Sequence, residues 1–266
     1  MESFSFFVNL PFKIKTGYTK KQKEEQTGDN NTITLPFRMF FQSIGDILEL
    51  LVHRDWENFH SYVLSNTQTF RHVAGAVAAC SQLHGMTVLH AAVKCNPPLD
   101  IVARIIEICP DMLDAKDCLH RTPLHVAAGS KATPSLLELL AHASPAACDA
   151  QDVEKKTPLH FACDSSCVLF EEDRSDDDKD DTRMHDDQPP NHDVVAVLLL
   201  HSVHAVTLED DEYMTPLEHA IMSNASTETV KLLQKKTQEA MQLTCEGEGL
   251  QSHRFQTPVE EIHDLR

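Results

Sequence analysis

Histidine and cysteine are the side chains of this sequence that could do chemistry: it has sixteen His and eight Cys. Three of the histidines close a recurring phrase with threonine: Thr87-Val-Leu-His90, Thr122-Pro-Leu-His125 and Thr157-Pro-Leu-His160. Recurring histidines invite a search for catalysis, since His is the commonest general acid or base. The stretch HFACDSSC adds Cys163 and Cys167 to His160, with His185 further on, and thiolate and imidazole are the ligands zinc prefers. From Glu171 to Asp187 there are ten acidic and three basic residues, an oxygen-rich run that could attract Ca²⁺. None of these sets completes a site. The three histidines recur one per phrase, so they stand in a row, whereas a reactive centre needs convergent groups. The cysteines lack a second ligand pair at a familiar zinc spacing, and Cys163 aligns with Val93, Ala128 and Ile221, a small core position. The acidic run lacks the central Gly and closing Glu of an EF-hand loop, and there is no Gly-rich phosphate loop and no G-x-S-x-G.

The elements that carry these residues explain the recurrence better. Thr87, Thr122 and Thr157 are 35 residues apart, and a fourth phrase, Thr215-Pro-Leu-Glu218, follows after 58, which is one period plus 23. A second signal keeps the same period. Fourteen residues after the threonine an apolar stripe begins: Ile101, Val102, Ile105 and Ile106, then Leu136, Leu137, Leu140 and Ala141. After Thr157 the stripe is delayed by 23 residues to Val194, Val195, Leu198 and Leu199, and the last is weaker at Thr229, Val230, Leu233 and Gln234. This spacing is one face of an α-helix. Pro97 and Pro98, Thr133 with Pro134, and Thr227 mark the helix starts. Each unit therefore predicts a short helix opening at the phrase, a turn, a longer helix and an extended connection.

Phrase and period together resemble the ankyrin repeat, over roughly residues 46–240. The resemblance implies an all-α solenoid of stacked helix-turn-helix units with hairpin-like connecting turns: about four recognisable repeats plus a degenerate N-terminal helical cap. It also implies that Thr and His tie neighbouring backbones, a role falling to Thr87 with His90, Thr122 with His125, and Thr157 with His160. The chain departs from the family where Val88 replaces Pro and where Glu218 replaces His in the last repeat. The family's hairpin Gly is kept at Gly85, but His120, Lys155 and Tyr213 stand at the equivalent places, where a left-handed non-Gly residue costs about 1 kcal/mol. The family's partner contacts lie on the hairpin tips and the exposed end of each first helix. Carried over by position, the tips are Leu83 and His84, Cys118 and Leu119, Val153 and Glu154, and Asp211 and Glu212. The helix ends bring Lys94, Ser130 and Asp164, beside Cys95, Gly129, Ser165, Met222 and Ser223. Leu83, Leu119 and Val153 would form an apolar row.

Upstream, Ile44, Ile47, Leu48 and Leu51 make one stripe and Trp56, Phe59, Val63 and Leu64 another, predicting a capping pair of helices near 44–53 and 55–65. The domain plan is an N-terminal segment at 1–43, a repeat domain at 44–242 with an acidic insertion at 167–190, and a C-terminal tail at 243–266. The insertion is expected to hang as a solvated loop from the lower edge of the groove. A net charge of −18 argues against a nucleic-acid surface, and the longest apolar run, Val194–Leu200, is too short to span a membrane. The cysteines read as reduced thiols of an intracellular, cytoplasmic chain, with the nucleus left open. The expected function is a non-catalytic protein-protein interaction module, monomeric, with a protein partner and neither cofactor nor metal. The alternative is a metal-dependent sensor or enzyme using the acidic loop and His160, Cys163 and Cys167.

Overall fold

The computed structural model describes residues 45–65, 67–79, 84–167, 169 and 188–252. Each repeat begins where Thr adopts an extended backbone and the next residue, Pro in three of four cases, opens a helix. Pro fits there because its missing N–H has no helical acceptor at that position. The first helices are short: α4 (Val88–Lys94), α6 (Pro123–Gly129), α8 (Pro158–Cys163) and α10 (Pro216–Met222). Their second-helix partners are α5 (Leu99–Ile108), α7 (Pro134–Ala143), α9 (His192–His201) and α11 (Thr227–Ser252). Ahead of them lie α1 (45–52), α2 (Trp56–Ser65) and α3 (Thr67–Ala79).

Packing follows the predicted stripes. Ile101, Val102 and Ile105 are buried, as are Leu136, Leu137, Leu140 and Ala141, and Val194, Val195, Leu198 and Leu199. Small residues on the first helices, such as Ala92 and Ala127, let α4, α6 and α8 pack side by side. The helices form one continuous core, and no strand occurs among the described residues. No described helix is long and apolar enough to cross a membrane.

The starts of paired helices lie eleven residues apart in α4/α5, α6/α7 and α10/α11, and 34 apart in α8/α9, where the 23 extra residues fall. The same interval of eleven joins α2 to α3, so these two form the degenerate first unit. The expected pairing of 44–53 with 55–65 is therefore corrected. Both helices exist, but α3, which the sequence reading omitted, is the partner of α2: Phe59 meets Phe70 edge to face at 6.2 Å. Asp55 replaces the capping Thr, with Oδ1 accepting from Asn58 N at 3.2 Å. Two helix starts also differ in detail. Thr133 stands at the cap of α7 without a side-chain cap bond, and Ser226, rather than Thr227, accepts from Thr229 N at 3.2 Å. Helix α11 continues to Ser252, past Gln242 where the apolar pattern ends. The body of the acidic insertion, the N-terminal segment and the last fourteen residues lie outside the described residues.

Candidate functional site

In each phrase the threonine and histidine bond to each other and then to the next repeat. His90 Nδ1 accepts from Thr87 N at 3.1 Å and lies 2.9 Å from Thr87 Oγ1. An acceptor at Nδ1 places the proton on Nε2, which donates to Arg121 O at 2.9 Å in the following unit. The pattern repeats in His125, with Thr122 N at 3.0 Å and Lys156 O at 3.2 Å, and in His160, with Thr157 N at 3.0 Å and Met214 O at 3.2 Å. Burial makes the imidazolium unfavourable. It pulls His125 down to about 3 and His160 to about 4, and it lowers His90 as well. In the last repeat Glu218 accepts from Thr215 N at 2.6 Å and from Thr215 Oγ1 at 2.9 Å. A carboxylate has no proton to donate onward, which suits a repeat with no described successor.

The tips are built by aspartates. Asp117, Asp152 and Asp210 each stand five residues before the threonine, and Oδ1 of each accepts two backbone N–H groups across the turn, all at 2.9 Å. Sequence reasoning missed these residues, although their recurrence at a fixed offset was a readable signal. The turn they close puts His120, Lys155 and Tyr213 at φ near +60°, beside Gly85 at +76°. Neighbouring tips join edge to edge through Cys118 N to His84 O at 2.7 Å, Val153 N to Leu119 O at 3.0 Å, and Asp211 N to Glu154 O at 2.9 Å.

This ladder satisfies the backbone and leaves the side chains outside. Leu119 is 43% exposed and Val153 45%, while His84, Cys118, Glu154, Asp211 and Glu212 are exposed too. Lys155 reaches Asp211 at 2.8 Å from one tip to the next. Leu83 lies outside the described residues. The helix-end positions differ from the tips. Lys94 and Ser130 are half-buried, and the Ser130 hydroxyl is enclosed without a hydrogen-bond partner among the described residues. Asp164 is turned inward: its Oδ1 accepts from Ser166 N at 2.9 Å and from Ser166 Oγ at 2.7 Å. Tyr213 at 80% and Met222 at 72% are more exposed than Leu119 or Val153.

The described residues of the alternative reading do not assemble. Both His160 nitrogens are engaged by repeat bonds. Cys163 is fully buried in the small core position, with its thiol pushed far up by burial. Burial pushes Cys167 up to about 12. Among the described residues, no three His, Cys, Asp or Glu side chains converge to hold a metal ion. His185 is outside the described residues. Six described cysteines are free thiols.

Residues 89–171 match the family model of ankyrin repeats, in three copies. The repeating geometry extends beyond that match on both sides, to α2 and α3 and to α10 and α11. No curated protein compared with the chain matches it.

Proposed function

The chain is an ankyrin-repeat protein, and on that premise we propose that it is a non-catalytic interaction scaffold whose tip row carries a protein partner. Ankyrin repeats are generally protein-protein interaction modules. One observation carries the reading for this chain: the tip backbones are bonded to one another, while Leu119 and Val153 remain nearly half exposed. A tip that existed only to pack on its neighbour would bury those side chains. Apolar anchors with a charged surround, here Glu154, Asp211 and Glu212, are the composition of a binding patch. The free thiols fit the reading of an intracellular, cytoplasmic protein. The recurring histidines are committed to the scaffold, so they supply no base.

The test is a titration of a captured partner against wild type and the double variant Leu119→Ser/Val153→Ser, with circular dichroism as the folding control. The expected result is an unchanged spectrum and at least a tenfold weaker association. Unchanged affinity in a folded variant would move the binding surface away from the tips.

A further inference from the structure

The insertion in the third phrase-bearing repeat does not leave the body at once. After α8, Ser165 N donates to Ser223 Oγ of the last repeat at 2.9 Å. The chain then runs the other way, onto the preceding repeat. Leu169 is 7% exposed, and two contacts hold it there. Its side chain fills the place that a Cβ on Gly129 would take: such an atom would sit 2.7 Å from Leu169 Cδ2 and 2.9 Å from Cγ. Its carbonyl accepts from Arg121 Nη1. Asp117 fixes that guanidinium, with Oδ2 at 2.8 Å from Nε and 2.7 Å from Nη2, and both side chains are buried. Arg121 lies at the base of the tip and Gly129 at the far end of α6, so Leu169 bridges the two ends of one first helix. An apolar recess beside an aimed N–H donor is how a groove reads an extended peptide: the side chain gives specificity and the main chain gives affinity.

We propose that Arg121 and Gly129 form a peptide subsite that takes a leucine-sized side chain and its carbonyl, and that Leu169 fills it from within the chain. An extended protein segment bearing such a side chain then binds only by displacing Leu169. The inference rests on the reading of this array as a protein-binding surface. A tethered occupant competes at an effective concentration on the order of millimolar, so a free peptide meets a closed site in the wild type.

The probe is a fluorescent peptide of residues 164–172, Asp-Ser-Ser-Cys-Val-Leu-Phe-Glu-Glu, titrated by anisotropy onto the full chain. Leu169→Ser should bind it at least tenfold more tightly than wild type, and Leu169→Ala should rank the same way. Adding Gly129→Ala to Leu169→Ser should abolish binding, because the new methyl group fills the recess, while α6 keeps its helix since Ala is the better helix former. Circular dichroism confirms the fold of each variant. Equal binding to wild type and Leu169→Ser, no binding to either, or binding that survives Gly129→Ala would each overturn the subsite. The probe is the chain's own segment, so this outcome is independent of any external partner. Loss of partner at the tip variants alongside a failed titration removes the subsite alone. A successful titration with inert tip variants removes the tip reading alone.

Discussion

A histidine of the repeat phrase makes bonds in two directions, and accepting at Nδ1 while donating from Nε2 needs the neutral ring. Nδ1 of His125 takes the N–H of its own helix cap while Nε2 donates to Lys156 O in the next unit. His125→Ala should therefore leave the Lys156 carbonyl and the Thr122 amide without partners inside the stack. We expect a loss of about 1–3 kcal/mol in a urea titration, with helical content retained below the transition. A variant of full stability would mean the ring is not a tie. The role was legible through the resemblance to the ankyrin repeat, whose Thr and His phrase recurs here at one spacing. Asp117, Asp152 and Asp210 were missed although they recur five residues before the threonine, because each alone looks like solvated surface in a polar connection. Nor did the sequence reveal Leu169, whose place depends on a glycine forty residues earlier in the chain.

At the scale of the element, the connecting turns store strain. His120 holds φ at +60° without the glycine that such a conformation favours. His120→Gly should stabilise the fold by up to about 1 kcal/mol, read as a shifted denaturant midpoint; a destabilised variant would show that the His120 side chain contributes more than its backbone costs. Asp152→Ala should act oppositely. It frees the amides of Glu154 and Lys156, and amide exchange should accelerate at residues 153–156 while α7 stays protected. Equal exchange in both proteins would remove the aspartate from the turn's architecture. Helix identity was readable from apolar spacing wherever the unit keeps its phrase. It failed at α3, whose buried Phe70, Val73, Ala74 and Val77 do form a helical stripe, but in a unit without Thr-Pro to mark the register. Pairing is a matter of which faces meet, and α1, α2 and α3 offer three apolar faces in a row with no phrase to number them.

Across the whole molecule, each unit leans on its neighbours, so the ends differ from the middle. Ile221 is 54% exposed although its equivalents Val93, Ala128 and Cys163 are buried. Loop closure costs only about 0.6 kcal/mol per doubling of length. Replacing 170–187 with a short linker should leave the melting temperature nearly unchanged; a collapse of the fold would make the insertion structural. The central claim is that the recurring histidines hold the repeats together, and stability as a function of pH tests it most directly. Burial keeps these rings neutral in the fold, with His125 near 3 and His160 near 4, while in the unfolded chain they titrate near the ordinary value of about 6.5. Between those limits the unfolded chain binds more protons, so the stabilisation is fully present above about pH 6.5 and is lost as pH falls towards the folded values. At pH 5 the loss is about 2 kcal/mol for each of these two rings. Urea titrations from pH 7.5 to 5.0 should show stability falling steeply below about pH 6.5, with the fall reduced in His125→Ala. A stability that stays flat across that range, or falls as steeply without His125, would contradict the account.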